Sequence, residues 1–265
     1  MRWLALLLLA AAPPADVVEV APGTVVRWPA AEIVECRQAS RRSAPLDGAC
    51  YFPIDLLARG EIEVAIRTRS GEERRRLRVG PYPYPVQEIR GVEEKYVAPS
   101  AAELERIRRD QQRTGALWAL ASARRFTLPL ASPLPIPLEG GRFGARRIFN
   151  GEPRSPHGGA DYRARPGTPV LAPADGVVVL AEEQFFAGRA VYLDHGDGLI
   201  SMSFHLSEIA VAEGQEVKRG QLIGRVGATG RVTGPHLHFG LRWRGARIDP
   251  AALLGEPAAL PAAAP

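Results

Sequence analysis

The chain has 265 residues, enough for one large domain or two modest ones with a buried core. Hydrophobic residues at 46% and charged residues at 24% exclude a disordered or fibrous chain. The formal charge of +5 suits polyanionic surroundings such as nucleic acid, anionic lipid or wall polymer, without choosing between them.

The first element reads as an export signal over residues 1–15. Met1-Arg2-Trp3 gives a positive start, Leu4 to Leu9 an apolar run, and Ala10 to Ala15 the small residues of a cleavage region. The run is too short to span a bilayer as a helix, and no other segment is a candidate span. The mature protein is therefore expected in the periplasm or secreted.

Residues 16–97 read as a small β-sandwich-like domain. In 61–67 a period of two places Ile62, Val64 and Ile66 on one face. Residues 17–20, 24–28 and 76–79 are further short strands, separated by Pro- and Gly-containing turns. In an exported chain the lone pair Cys36 and Cys50 is expected to form a disulfide. The basic run Arg67 to Arg78 is interleaved with Glu72 and Glu73, so it reads as a solvated hairpin and not as a nucleic-acid surface.

Residues 98–138 hold one helix and a connector. Ser100 is a good N-cap and Glu103 completes a capping box, predicting a helix to about residue 125. Leu104, Ile107, Leu117, Trp118 and Leu120 give it a partial apolar stripe. Leu128 to Pro137 is proline-rich and reads as a semi-rigid linker at a domain boundary.

From 139 to 254 the pattern is short strands and glycine turns, the strongest strands being 177–180, 190–193, 199–206, 222–226 and 236–243. A compact, mainly antiparallel β domain is expected. Residues 255–265, rich in Ala and Pro, read as a flexible tail.

All five histidines fall in this part: His157, His195, His205, His236 and His238. Along 236–243, Leu237, Phe239, Leu241 and Trp243 form the core face. His236 and His238 therefore point together to the other, about 7 Å apart by the strand rise. Both can reach one metal, or one can bind while the other works beside it. In 199–206 the same alternation puts Ile200, Met202, Phe204 and Leu206 on the core face, and Ser201, Ser203 and His205 on the opposite one. In His157-Gly158-Gly159-Ala160-Asp161 the even spacing keeps imidazole and carboxylate on one side of an extended segment. Three protein ligands with one open position is the pattern of a catalytic zinc site. His157, Asp161 and His238 offer two nitrogens and an oxygen, leaving His205 and His236 beside the metal. His195, in Asp194-His195-Gly196-Asp197-Gly198, reads as a turn residue held by hydrogen bonds. Gly227 to Gly234 reads as a loop shaping the site.

Residues from about 140 to 250 resemble the lysostaphin/LytM-type zinc endopeptidases. The resemblance is carried by His157 with Asp161, by His205-Leu206, and by Gly234-Pro235-His236-Leu237-His238-Phe239-Gly240. Scaffold phrases agree: Gly167-Thr168-Pro169-Val170, Ala172 to Val177, Asp194-His195-Gly196, and Glu213 to Gly224. It implies zinc bound by His157, Asp161 and His238, with His205 and His236 as catalytic histidines. It also implies an antiparallel β fold with a narrow groove, and peptidoglycan stem peptides as substrate. One departure is Ser203, where the family often has an aromatic residue. Binding wall, recruiting an unidentified regulatory envelope partner, and covering the groove all stay open as roles for residues 16–125.

Two rivals carry less. A non-catalytic wall-binding or regulatory module on the same fold would typically lose ligands that are all present here. A lipoyl or biotinyl carrier needs a modified lysine, and Lys218, the only lysine of this part, lacks the usual methionine neighbours.

Overall fold

The computed structural model describes residues 17–263, so the apolar start read as an export signal lies outside the described residues. The front of the chain builds a five-stranded sheet in the order Val17–Val20, Glu72–Val79, Gly60–Thr68, Ile33–Gln38, Arg41–Ser43. The alternation in 61–67 holds: Val64 and Ile66 are fully buried, and Ile62 packs against the same cluster. The arginine-rich hairpin is a surface of ion pairs, with Arg74 on Glu72 and Arg78 on Glu61.

A ribbon of Val25–Pro29 and Ala49–Pro53 covers this sheet. All five residues of Ala49–Pro53 are buried, as a strand covered on both faces requires. Trp28, Cys50 and Phe52 face the five-stranded sheet, whereas Val25, Ala49 and Tyr51 join the core of the C-terminal half. The ribbon is thus a shared middle layer; Tyr51 lies 5.8 Å from Trp243, centroid to centroid. Cys36 and Cys50 form the expected disulfide across the layers, Cα–Cα 5.6 Å. Closing a loop of this size stabilises by about 3 kcal/mol in the chain-entropy account.

The C-terminal sheet runs Glu216–Val217, Gly176–Gln184, Gly188–Asp194, Leu199–Ile209, Leu237–Trp243, Ala160–Tyr162, Gly140–Gly141. Pro169–Leu171 pairs with Leu222–Val226, which returns to Leu199–Ile209, and Ala246–Ile248 pairs with Leu237–Trp243. Every pairing in this sheet is antiparallel. Leu237, Phe239, Leu241 and Trp243 are fully buried, as their alternation predicted.

Three segments differ from expectation. The helix spans Ala101–Leu117 with the predicted Ser100–Glu103 capping box, but stops well short of residue 125. Thr114 and Gly115 are weak helix formers, and the chain beyond is drawn into extended pairing, with Arg125 N–H donating to His195 O. Ile107 and Leu117 are buried, while Leu104 and Leu120 of the expected stripe are exposed. The proline-rich stretch does not run free. Leu130 and Leu134 are buried in the C-terminal core, and Leu130 N–H donates to Leu253 O. The expected tail is docked as far as it is described: Ala263 is buried, and its N–H donates to Arg27 O. No helix among the described residues is long and apolar enough to cross a membrane.

Candidate metal centre and groove

Asp161 and His238 are register partners on the adjacent strands Ala160–Tyr162 and Leu237–Trp243, so their side chains leave the sheet together. His238 Nδ1 lies 2.8 Å from Asp161 Oδ1. His157 arrives on a loop tied down by two backbone bonds, His157 N–H to Ala145 O and Gly144 N–H to His157 O. Its Nε2 lies 2.9 Å from His238 Nδ1 and 2.9 Å from Asp161 Oδ1. Gly159 makes this approach possible: a Cβ there would meet Phe239 O at 2.6 Å and His238 Nε2 at 2.8 Å.

This donor set fits a cation. His157 Nδ1 lies 2.9 Å from Arg142 O, so Nε2 is the ring nitrogen turned inward. Two imidazole nitrogens and a carboxylate oxygen thus meet at 2.8 to 2.9 Å. Burial pushes the Asp161 carboxyl up, but the His157 and His238 imidazoles outweigh that and hold it far below the usual carboxylate range. Arg147 pairs with its other oxygen. Burial pushes His238 down to about 4, so the ring is neutral near pH 7.

His205 reaches the site by a route the simple alternation misses. Ser201 and Ser203 sit opposite Leu241 and Phe239 and face the core; Met202 and Phe204 sit opposite Gly240 and His238 and face the groove. The face assignment read from sequence is therefore inverted. Between Ser203 and Leu206 the register slips against the neighbouring strand, and His205 takes φ 65°. This β-bulge moves His205 to the groove side next to Phe204 and returns Leu206 to the core. Phe204 stacks on His238, centroids 5.0 Å apart and planes 9° apart. The departure at Ser203 is thus a buried core position, and Phe204 is one of the aromatics that line the groove.

His205 Nδ1–H donates to Thr229 O and His236 Nδ1–H to Gly234 O, so each ring turns Nε2 to the groove, that of His236 lying 3.6 Å from Asp161 Oδ1. Their rings lie 4.9 Å apart. Burial, then the neighbouring His238 and His236, hold His205 well below the usual histidine pKa. Both carbonyls come from the glycine loop 227–234, which orients the two rings. His195 behaves as read: fully buried, it bonds Asp175 O and Ser201 Oγ.

Two cavities flank the trio. One, of about 330 Å³, is lined by His157 and His238; the other, of about 510 Å³, by Asp161 and His236; His205, Arg147 and Arg231 line both. Helix residues Ile107, Asp110, Gln111 and Thr114 roof the smaller cavity. Asp110 accepts from Phe185 N–H, and Arg113 pairs with Glu182 and Glu213, which fastens the helix there. Sequence reading missed Arg147, Phe204, Arg231 and Arg242 at this groove; no spacing marks them, because separate loops and faces bring them together.

The family profile described as Peptidase family M23 matches residues 155–250. A Pseudomonas aeruginosa crystal structure assigned to peptidase M23 is 32% identical, superposes with a TM-score of 0.67, and the match covers 89% of this chain and 95% of that one. The chain belongs to peptidase family M23. The lysostaphin/LytM resemblance read from the motifs agrees with this. Peptidoglycan DD-endopeptidase ShyA of Vibrio cholerae is 47% identical over 95 residues, 36% of this chain and 22% of that protein. Peptidoglycan DD-endopeptidase ShyC of the same organism is 41% identical over 123 residues, 46% of this chain and 28% of that protein. The M23 chain thus matches about a quarter of the length of these curated relatives.

Proposed function

We propose that this M23 protein is a zinc-dependent endopeptidase that hydrolyses peptide cross-links of bacterial peptidoglycan, acting in the cell envelope after export. The observation that carries the reading is the convergence of His157, Asp161 and His238, whose ligand atoms lie within 4.8 Å of one another at the junction of two cavities. His157 Nε2, Asp161 Oδ1 and His238 Nδ1 would hold the ion. Zinc so held supplies Lewis acidity that polarises a carbonyl and acidifies water.

The chain's own groups do the rest. His205 is neutral at pH 7, and its free Nε2 accepts the proton of the attacking water. His236 Nε2 faces the site from the other side, and as an imidazolium it would donate to the departing amide nitrogen or the developing oxyanion. Phe204 stacks on the His238 ring and supports it, and the helix covers the smaller cavity. The test is release of new amino termini from purified peptidoglycan by the zinc-loaded protein, with loss of that release on chelation and recovery on zinc addition. No release from any sacculus preparation despite bound zinc would contradict the substrate assignment.

A further inference from the structure

Four arginines line the cavity beside the trio: Arg147, Arg231, Arg242 and Arg247. Two are engaged, Arg147 by Asp161 and Arg247 by Asp55. Among the described residues, no carboxylate or carbonyl accepts from the guanidinium of Arg231 or Arg242. Arg231 lies instead between two rings, 4.7 Å from Phe149 and 4.5 Å from Phe186. Arg242 lies on Trp118, and its Nε is buried without a partner.

A guanidinium held among aromatic faces, largely out of water and close to Arg147 and Arg154, lacks the anion its surroundings call for. The stacking fixes the plane of the Arg231 fork and leaves its edge for a bidentate acceptor. Arg231 also lines both cavities together with His205, so it borders any peptide laid across the trio.

We propose that Arg231 is a specificity-determining residue that grips a free carboxylate on the peptide next to the scissile bond. This rests on the peptidase reading above. It selects cross-links whose residues carry a free carboxylate beside the cut, over neutral bridges such as oligoglycine, which lack one. Arg242, under the helix, offers a second anion contact further along the smaller cavity.

The test uses two synthetic cross-link peptides, identical except that the carboxylate beside the scissile bond is free in one and a carboxamide in the other. For the zinc-loaded full chain, kcat/KM should favour the acid on the order of 10- to 100-fold, the strength of a charge-assisted bidentate contact. In Arg231→Gln that ratio should fall towards one. Arg231→Lys, which keeps the charge without the fork, should give an intermediate ratio and serves if the glutamine variant does not fold. Arg225→Gln, a surface control, should keep the wild-type ratio. No preference in wild type, or a preference unchanged in both variants, overturns the proposal. If wild type cuts neither peptide, the peptidase reading fails. Calorimetric binding of the same pair to zinc-free protein then decides: acid preferred by wild type and not by Arg231→Gln supports the carboxylate site, and equal binding overturns it.

Discussion

Asp161 and His238 face each other across two antiparallel strands, with His238 Nδ1 2.8 Å from Asp161 Oδ1. The pairing makes the proposed metal centre a property of sheet register, since a slip of one residue would send either side chain into the core. Asp161→Asn keeps the size and the pairing but removes the charge. Zinc affinity should fall by more than about 100-fold, beyond the range of changes to groups that merely support ligands. Competition with a chelating dye measures it, and near-normal affinity would remove Asp161 from the ligand set.

The bulge places His205 beside the trio of His157, Asp161 and His238 and not in it, which fits the proton-transfer role proposed for it. His205→Gln should leave zinc content near one per chain while kcat drops about 10²- to 10⁴-fold, the span of general acid–base contributions. Metal analysis beside single-turnover hydrolysis checks this. A variant that loses zinc as well would make His205 a ligand.

Helix Ala101–Leu117 roofs one of the two cavities and is held by Ile107, Leu117 and the Arg113 ion pairs. The ion pairs are half exposed and each contributes at most about 1 kcal/mol. The apolar contacts therefore dominate, and Ile107→Ser should loosen the helix. Turnover of polymeric wall is expected to rise severalfold, with faster amide exchange confined to the helix. Slower turnover would mean that the helix helps to build the substrate groove.

His195 gives the fold a pH dependence away from the candidate metal centre. Burial pushes its pKa down to about 4, against about 6.5 in the unfolded chain. Between those values the unfolded state binds the extra proton, so this contribution is complete above pH 6.5 and is lost as pH falls to 4. The loss amounts to about 3 kcal/mol. Denaturant unfolding of wild type and His195→Gln should show the two stabilities converging by that order between pH 7 and 4. Parallel pH profiles would contradict the assignment.

The core face of 237–243 was legible because four large apolar residues alternate without interruption. The three candidate ligands were legible because imidazole and carboxylate side chains have few packing reasons to sit beside such a strand. The polarity of 199–206 was not: Ser201 and Ser203 are small enough to be buried against Leu241 and Phe239, and Met202 and Phe204 are apolar groove walls. A bulge leaves no mark in an alternating pattern, so His205 arrived at the site for a different reason from the one its spacing gave. The proline-rich stretch and the tail carry no periodicity. Their docking is decided by partners such as Leu253 and Arg27, far away in sequence.

Zinc stoichiometry measured together with hydrolysis of purified peptidoglycan, in wild type and in His238→Ala, tests the proposed enzyme most directly. The expected result is about one zinc per wild-type chain, with new peptide ends released, and neither for the variant. A wild-type chain that binds no zinc and releases no peptide ends would contradict the enzyme reading, and a His238→Ala variant that keeps both would contradict the metal centre.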